Sequence, residues 1–265
     1  MIDFEAEAMI CPPLRPSVPP RRALAVVASV LGLLLAPLAA DAAGRGPSFD
    51  CAGAKGRVEK AICADRELSR LDLALADAYR AALARLDGDA EAQAALRAAQ
   101  RSFLSVRDAR IGDAEFTVAD AMSRQLDLLA GIDGAPRTEF VGVWAGHASE
   151  LKVERPAPGD AAIPAGAFRV SVDAVEPTRA RWLCDATGIG RLVGDALVVS
   201  APPADDVLEG WTLKIVRRGH VVDLYEIGPP GTERDATGFY YGMRPFCGMN
   251  GGVAGTYFPV GKARP

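Results

Sequence analysis

The hydrophobic period of the chain changes at Gly134-Ala135-Pro136, and the two sides of that break demand different secondary structure. Upstream, from Gly56 to Ile132, apolar residues recur at spacings of mostly three and four. Asp65 reads as the N-cap of a helix carrying Leu68, Leu71, Leu75, Ala78, Tyr79, Ala82 and Leu86 along one face, stopped by Gly88. A second helix carries Ala95, Leu96, Ala99, Phe103, Leu104 and Val106 and ends near Gly112. A third carries Phe116, Ala119, Met122, Leu126 and Leu129 and ends at Gly131, while Val58 and Ala61 mark a shorter helical turn. Short connections between such stripes give a small antiparallel helical bundle.

Downstream of the break, apolar residues alternate. Phe140–Trp144, Leu151–Glu154, Phe168–Val175, Trp182–Ala186, Ala196–Ser200, Trp211–Val216 and Val221–Ile227 read as strands. Gly194-Asp195 and Arg218-Gly219 supply tight turns, and Pro229-Pro230-Gly231 a longer break. Gly188-Ile189-Gly190 has the wrong spacing to Gly194 for a dinucleotide fingerprint and reads as a β-turn. Strands in sequence without helices between them predict an antiparallel sandwich or small barrel, so the fold class is α+β. The expected division is 1–42 a signal peptide, 43–133 the helical domain and 138–265 the β domain.

The signal peptide is read from Arg21-Arg22, the apolar stretch Ala23–Ala40 and the small residues of Ala40-Asp41-Ala42, with no basic stop-transfer cluster after them. Cleavage is expected after Ala42, with translation starting at Met1 or at Met9. The mature protein is then periplasmic or secreted, without stable membrane insertion. Discarding that segment removes Cys11 and leaves Cys51, Cys63, Cys184 and Cys247, an even set suited to two disulfides in an oxidising compartment. Four cysteines allow three connectivities. Each predicted domain holds one pair, which favours Cys51–Cys63 and Cys184–Cys247.

Residues 48–129 carry a pattern beyond periodicity. Ser48-Phe49-Asp50-Cys51, Val58-Glu59-Lys60-Ala61-Ile62-Cys63, Glu67-Leu68, Leu71-Asp72, Ala78-Tyr79, Gln100-Arg101, Phe103-Leu104 and Arg107-Asp108 resemble the N-terminal domain of the LprI-type lysozyme inhibitors. The resemblance covers roughly a third of the chain and implies a secreted or envelope-associated helical module, in a family with members that inhibit lysozyme, so a protein partner of that kind is expected. Phe103 stands where that family usually has Trp, and Arg110 and Thr117 stand where it commonly has a further cysteine pair. Near the other end, Phe246-Cys247-Gly248-Met249-Asn250-Gly251 and Gly255-Thr256-Tyr257 are similar to the ending of β modules that accompany such helical domains.

A formal net charge of −4 offers no basic footprint for nucleic acid. Two histidines, His147 and His220, and no CxxC pair leave little for a metal, so neither metal nor cofactor is expected. GxSxG, HExxH and GxxxxGKS/T motifs are absent. His147 with Ser149 and some carboxylate makes a triad only on paper, so the protein is read as a non-enzyme. Glu59 reads as a first-turn carboxylate of its helix. Arg107 and Asp108, adjacent and diverging, are expected to pair with neighbouring helices. Asp205, Asp206 and Glu209 form an acidic loop suited to contact a basic partner. The leading functional expectation is an envelope protein that inhibits lysozyme. The alternative is a structural or stress-related envelope protein whose β domain binds cell-wall or lipid material, and a hydrolase ranks third.

Overall fold

The computed structural model describes residues 46–177, 181–200, 210–232, 244–248 and 251–261. The expected signal segment and the acidic loop at 205–209 lie outside the described residues. A 3-10 turn at Cys51–Gly53 leads into α1 (Arg57–Ala64), α2 (Arg66–Arg85), α3 (Ala90–Arg110) and α4 (Val118–Gly131). Asp65 caps α2 by accepting from the Glu67 and Leu68 N–H groups at 2.7 and 3.0 Å. Asp89 caps α3 through Ala92 N–H, and Thr117 caps α4 through Asp120 N–H. Each relieves one or more of the unsatisfied donors of a helix start. Glu59 accepts from Lys55 and Gly56 N–H at 2.7 and 2.8 Å. These main-chain hydrogen bonds hold its carboxyl below the ordinary range, in keeping with a first-turn carboxylate.

Eight antiparallel strands follow: β1 (Gly142–Ala145), β2 (Ser149–Glu154), β3 (Phe168–Val175), β4 (Leu183–Val193), β5 (Ala196–Ser200), β6 (Thr212–Arg218), β7 (Val221–Ile227) and β8 (Gly255–Val260). They form a closed barrel in sequence order, β8 returning to pair with β1 through Val143–Val260 and Ala145–Phe258. Of the two β architectures expected, the barrel is the one formed. The strand β8, which closes it, has no counterpart among the strands expected from the sequence.

A second correction concerns β4. Gly188 and Gly190 are not a turn but lie inside an uninterrupted strand, facing inward. A Cβ on Gly188 would stand 2.4 Å from Ser200 O, and one on Gly190 2.9 Å from a Val170 methyl. The glycines let β5 and the interior pack close. The turn after β4 is Gly194-Asp195, as expected, with Gly194 at φ 62°.

Two hydrophobic clusters result. One fills the barrel with Trp144, Leu151, Val172, Leu197, Ile215, Leu224 and Tyr257. The other joins Ile62, Leu96, Phe103, Met122 and Leu129 of the helices to Ala145, Val221, Phe258 and Val260 on the outside of β1, β7 and β8. Alternation in β8 therefore serves both cores, Tyr257 inward and Phe258 outward. The seam is also hydrogen-bonded, Asp133 N–H donating to Pro259 O at 2.8 Å, and within the helical part Arg85 of α2 donates to the Ile132 and Leu129 carbonyls at the end of α4.

Candidate functional site

Both disulfides form as paired above, Cys51–Cys63 and Cys184–Cys247. The second sits at one rim of the barrel beside a buried ion pair. Glu226, an inward residue of β7, meets Arg244, and both side chains are 2% exposed. Glu226 also accepts from the Val253 and Ala254 N–H groups, and Arg244 donates to Gly251 O. A buried charge is tolerable only when so fully satisfied. Bridge and ion pair together fix the segment that leads into β8.

That segment floors a cleft of about 450 Å³ between α3 and the barrel rim. Ala98, Ala99 and Ser102 contribute from α3, His147 from the β1–β2 turn and Ser149 from the first position of β2, while Trp182 contributes from just before β4. Gln125, 1% exposed, donates its amide N–H to Gln100 Oε1 at 2.9 Å, so its own carbonyl faces His147 Nδ1, also at 2.9 Å. Nδ1 is then the donor, and the ring is further held by Phe103 at 5.4 Å between centroids. Tyr257 donates to Val253 O at 2.6 Å. Burial, against the opposing hydrogen bond from Ser149, pushes its phenol far above the ordinary value and keeps it protonated. His147 and Ser149 thus line one cleft, but Ser149 is engaged with Tyr257, and no carboxylate among the described residues lines that cleft.

A second cleft of about 450 Å³ lies where α3 begins. Asp89 Oδ2 accepts from both His220 N–H and His220 Nδ1 at 2.7 Å, linking the helix cap to the β6–β7 turn. Burial alone would raise the Asp89 carboxyl. The hydrogen bonds from Ala92 and His220 outweigh it and bring the pKa to about 2. Arg137 and Arg217 close this end of the barrel with carbonyl partners: Arg137 donates to Val143 O and Val260 O and lies 4.8 Å over Trp144, and Arg217 donates to Thr138 O and Arg137 O.

On the outer face of the barrel, Glu150, Asp173 and Asp185 are directly opposed across β2, β3 and β4. Burial, then the flanking Asp185 and Glu150 charges, pushes the Asp173 carboxyl up. Opposed like charges weaken a sheet, so the Asp173–Asp185 pair carries a cost. Arg107 and Asp108 correct the sequence reading: they pair with each other, at 2.8 Å, with Arg107 buried against Phe103. No group of three or more His, Cys, Asp or Glu suited to a metal occurs among the described residues. No helix among them is long and apolar enough to cross a membrane.

The cleft escaped sequence reasoning because its walls come from four distant stretches. The local hints were His147, Ser149 and Trp182. In comparison with known proteins, no curated protein and no solved structure gives a significant match. Residues 51–131, α1 to α4 with their disulfide, match the family model described as Lysozyme inhibitor LprI, so this helical third of the chain is similar to that family.

Proposed function

We propose that the mature protein is exported, binds a lysozyme and inhibits it without hydrolysing anything itself. The observation that carries this reading is the match of residues 51–131 to the LprI inhibitors, whose disulfide-pinned helices are formed here. Two disulfides suit an oxidising compartment outside the cytoplasm. Asp173 and Asp185, directly opposed across β3 and β4, present negative charge on an open barrel face, where a basic enzyme would relieve the repulsion. The acidic residues Asp205, Asp206 and Glu209 extend the same complementarity.

The test is a titration of a basic lysozyme with residues 43–265. Dose-dependent loss of lytic activity is expected, with association slowing as salt rises because exposed charges are screened over about 8 Å at physiological ionic strength. Asp173→Asn with Asp185→Asn should slow association about tenfold or less, as rim charges do, and leave dissociation nearly unchanged. Neutralising Asp205, Asp206 and Glu209 should add to that effect. A folded protein that leaves every lysozyme tested fully active would refute the proposal.

A further inference from the structure

We propose that the cleft between α3 and the barrel rim is a binding subsite for an uncharged, acetamido-bearing sugar ring of a glycan chain. The inference is independent of lysozyme inhibition. It begins with what the cleft lacks: in a chain that is 24% charged, none of the described residues lining it is Asp, Glu, Lys or Arg. A charged ligand would find no carboxylate, ammonium or guanidinium counter-charge among these residues, so they suit an uncharged one.

The groups that are present define its polarity. Ser102 places a hydroxyl on the helix wall and His147 an imidazole held by Gln125 on the turn. Trp182 is half-buried against the barrel core and offers an aromatic wall. Its seat exists because residue 248 is glycine: a Cβ there would stand 3.1 Å from Trp182 Cβ. The Tyr257 phenol in the floor stays protonated and adds no charge. Ala98, Ala99 and Ala148 leave apolar space suited to an acetyl methyl. An aromatic wall, a few hydroxyl-type partners and small apolar walls match a sugar, which is apolar on its C–H face and polar at its edges. The volume of about 450 Å³ lies within the range of roughly 300–1,000 Å³ usual for small-molecule sites.

The experiment titrates residues 43–265 with N-acetylglucosamine trimer, followed by calorimetry and tryptophan fluorescence, with maltotriose alongside and no lysozyme present. Saturable binding of the acetylated trimer is expected, at least about tenfold tighter than maltotriose, which is 1.4 kcal/mol. Trp182→Ala should weaken it about tenfold or more. Ala98 is exposed on α3, so Ala98→Leu fills the cleft without touching the core and should do the same. Lys214→Ala, on the exposed outer face of β6, should leave binding unchanged. No saturation by about 10 mM trimer with the folded protein, or undiminished binding by Ala98→Leu, overturns the proposal and leaves the inhibitor reading untouched. If the trimer fails to bind and Ala98→Leu instead weakens lysozyme inhibition, the cleft is a protein contact and the glycan assignment is wrong.

Discussion

Gly188 and Ser200 are neighbours whose distance leaves no room for a side chain, and the obstructing atom is a main-chain oxygen that cannot swing aside. Gly188→Ala should therefore lower stability by about 1–3 kcal/mol, the usual result of overpacking, seen as a lower urea midpoint at unchanged slope. In sequence, these glycines look like turn formers, because Gly-x-Gly carries no mark of which neighbour approaches. Arg107-Asp108 misled for a related reason: helical geometry points adjacent residues apart, but a long guanidinium can fold back to its neighbour's carboxylate. Asp89 makes a prediction in pH. Its carboxyl is at about 2 in the folded protein against an ordinary 3.8, so the unfolded chain takes up the proton first. The stabilisation is complete above about pH 4 and is lost as pH falls through about 2. Melting temperatures measured across that window should fall less steeply in Asp89→Asn than in the parent.

At the level of elements, Phe258 is 1% exposed where β8 meets the helices, so Phe258→Ala should cost about 3–5 kcal/mol by thermal or urea denaturation. The bridge Cys184–Cys247 closes a loop with a sequence separation of 63. Replacing both cysteines by serine should remove about 4 kcal/mol in the chain-entropy account, against about 3 for Cys51–Cys63. Denaturation with and without reductant checks the order. The helices were legible because Asp65, Gly88 and Gly131 punctuate stripes of regular spacing. The first seven strands were legible from alternation, although Gly188 and Gly190 hid the second half of β4. In β8, alternation is masked: Gly-Thr-Tyr-Phe-Pro-Val is apolar at consecutive positions because both faces are covered, and Pro259 argues against a strand. The cysteine pairing followed from the placement of one pair on each side of the period change. The cleft was not legible, since no single stretch contains it.

For the whole molecule, the cluster shared by helices and barrel means that neither part covers its own apolar face. The complete chain should unfold in one calorimetric transition, and the fragments 43–133 and 138–265, made separately, should melt at lower temperature or associate. Barrel closure has a further consequence, for the order of events during synthesis. The partners Val143 and Val260 are more than a hundred residues apart, so β1 stays unpaired on one side until β8 has been made. Until then the sheet has two bare edges, at β1 and β7, each able to template pairing with another chain. Loop closure over that distance is slow, and the open sheet is exposed to aggregation in the meantime. A premature stop just before Gly255 should thus yield aggregate or a degraded product instead of a slightly shortened barrel.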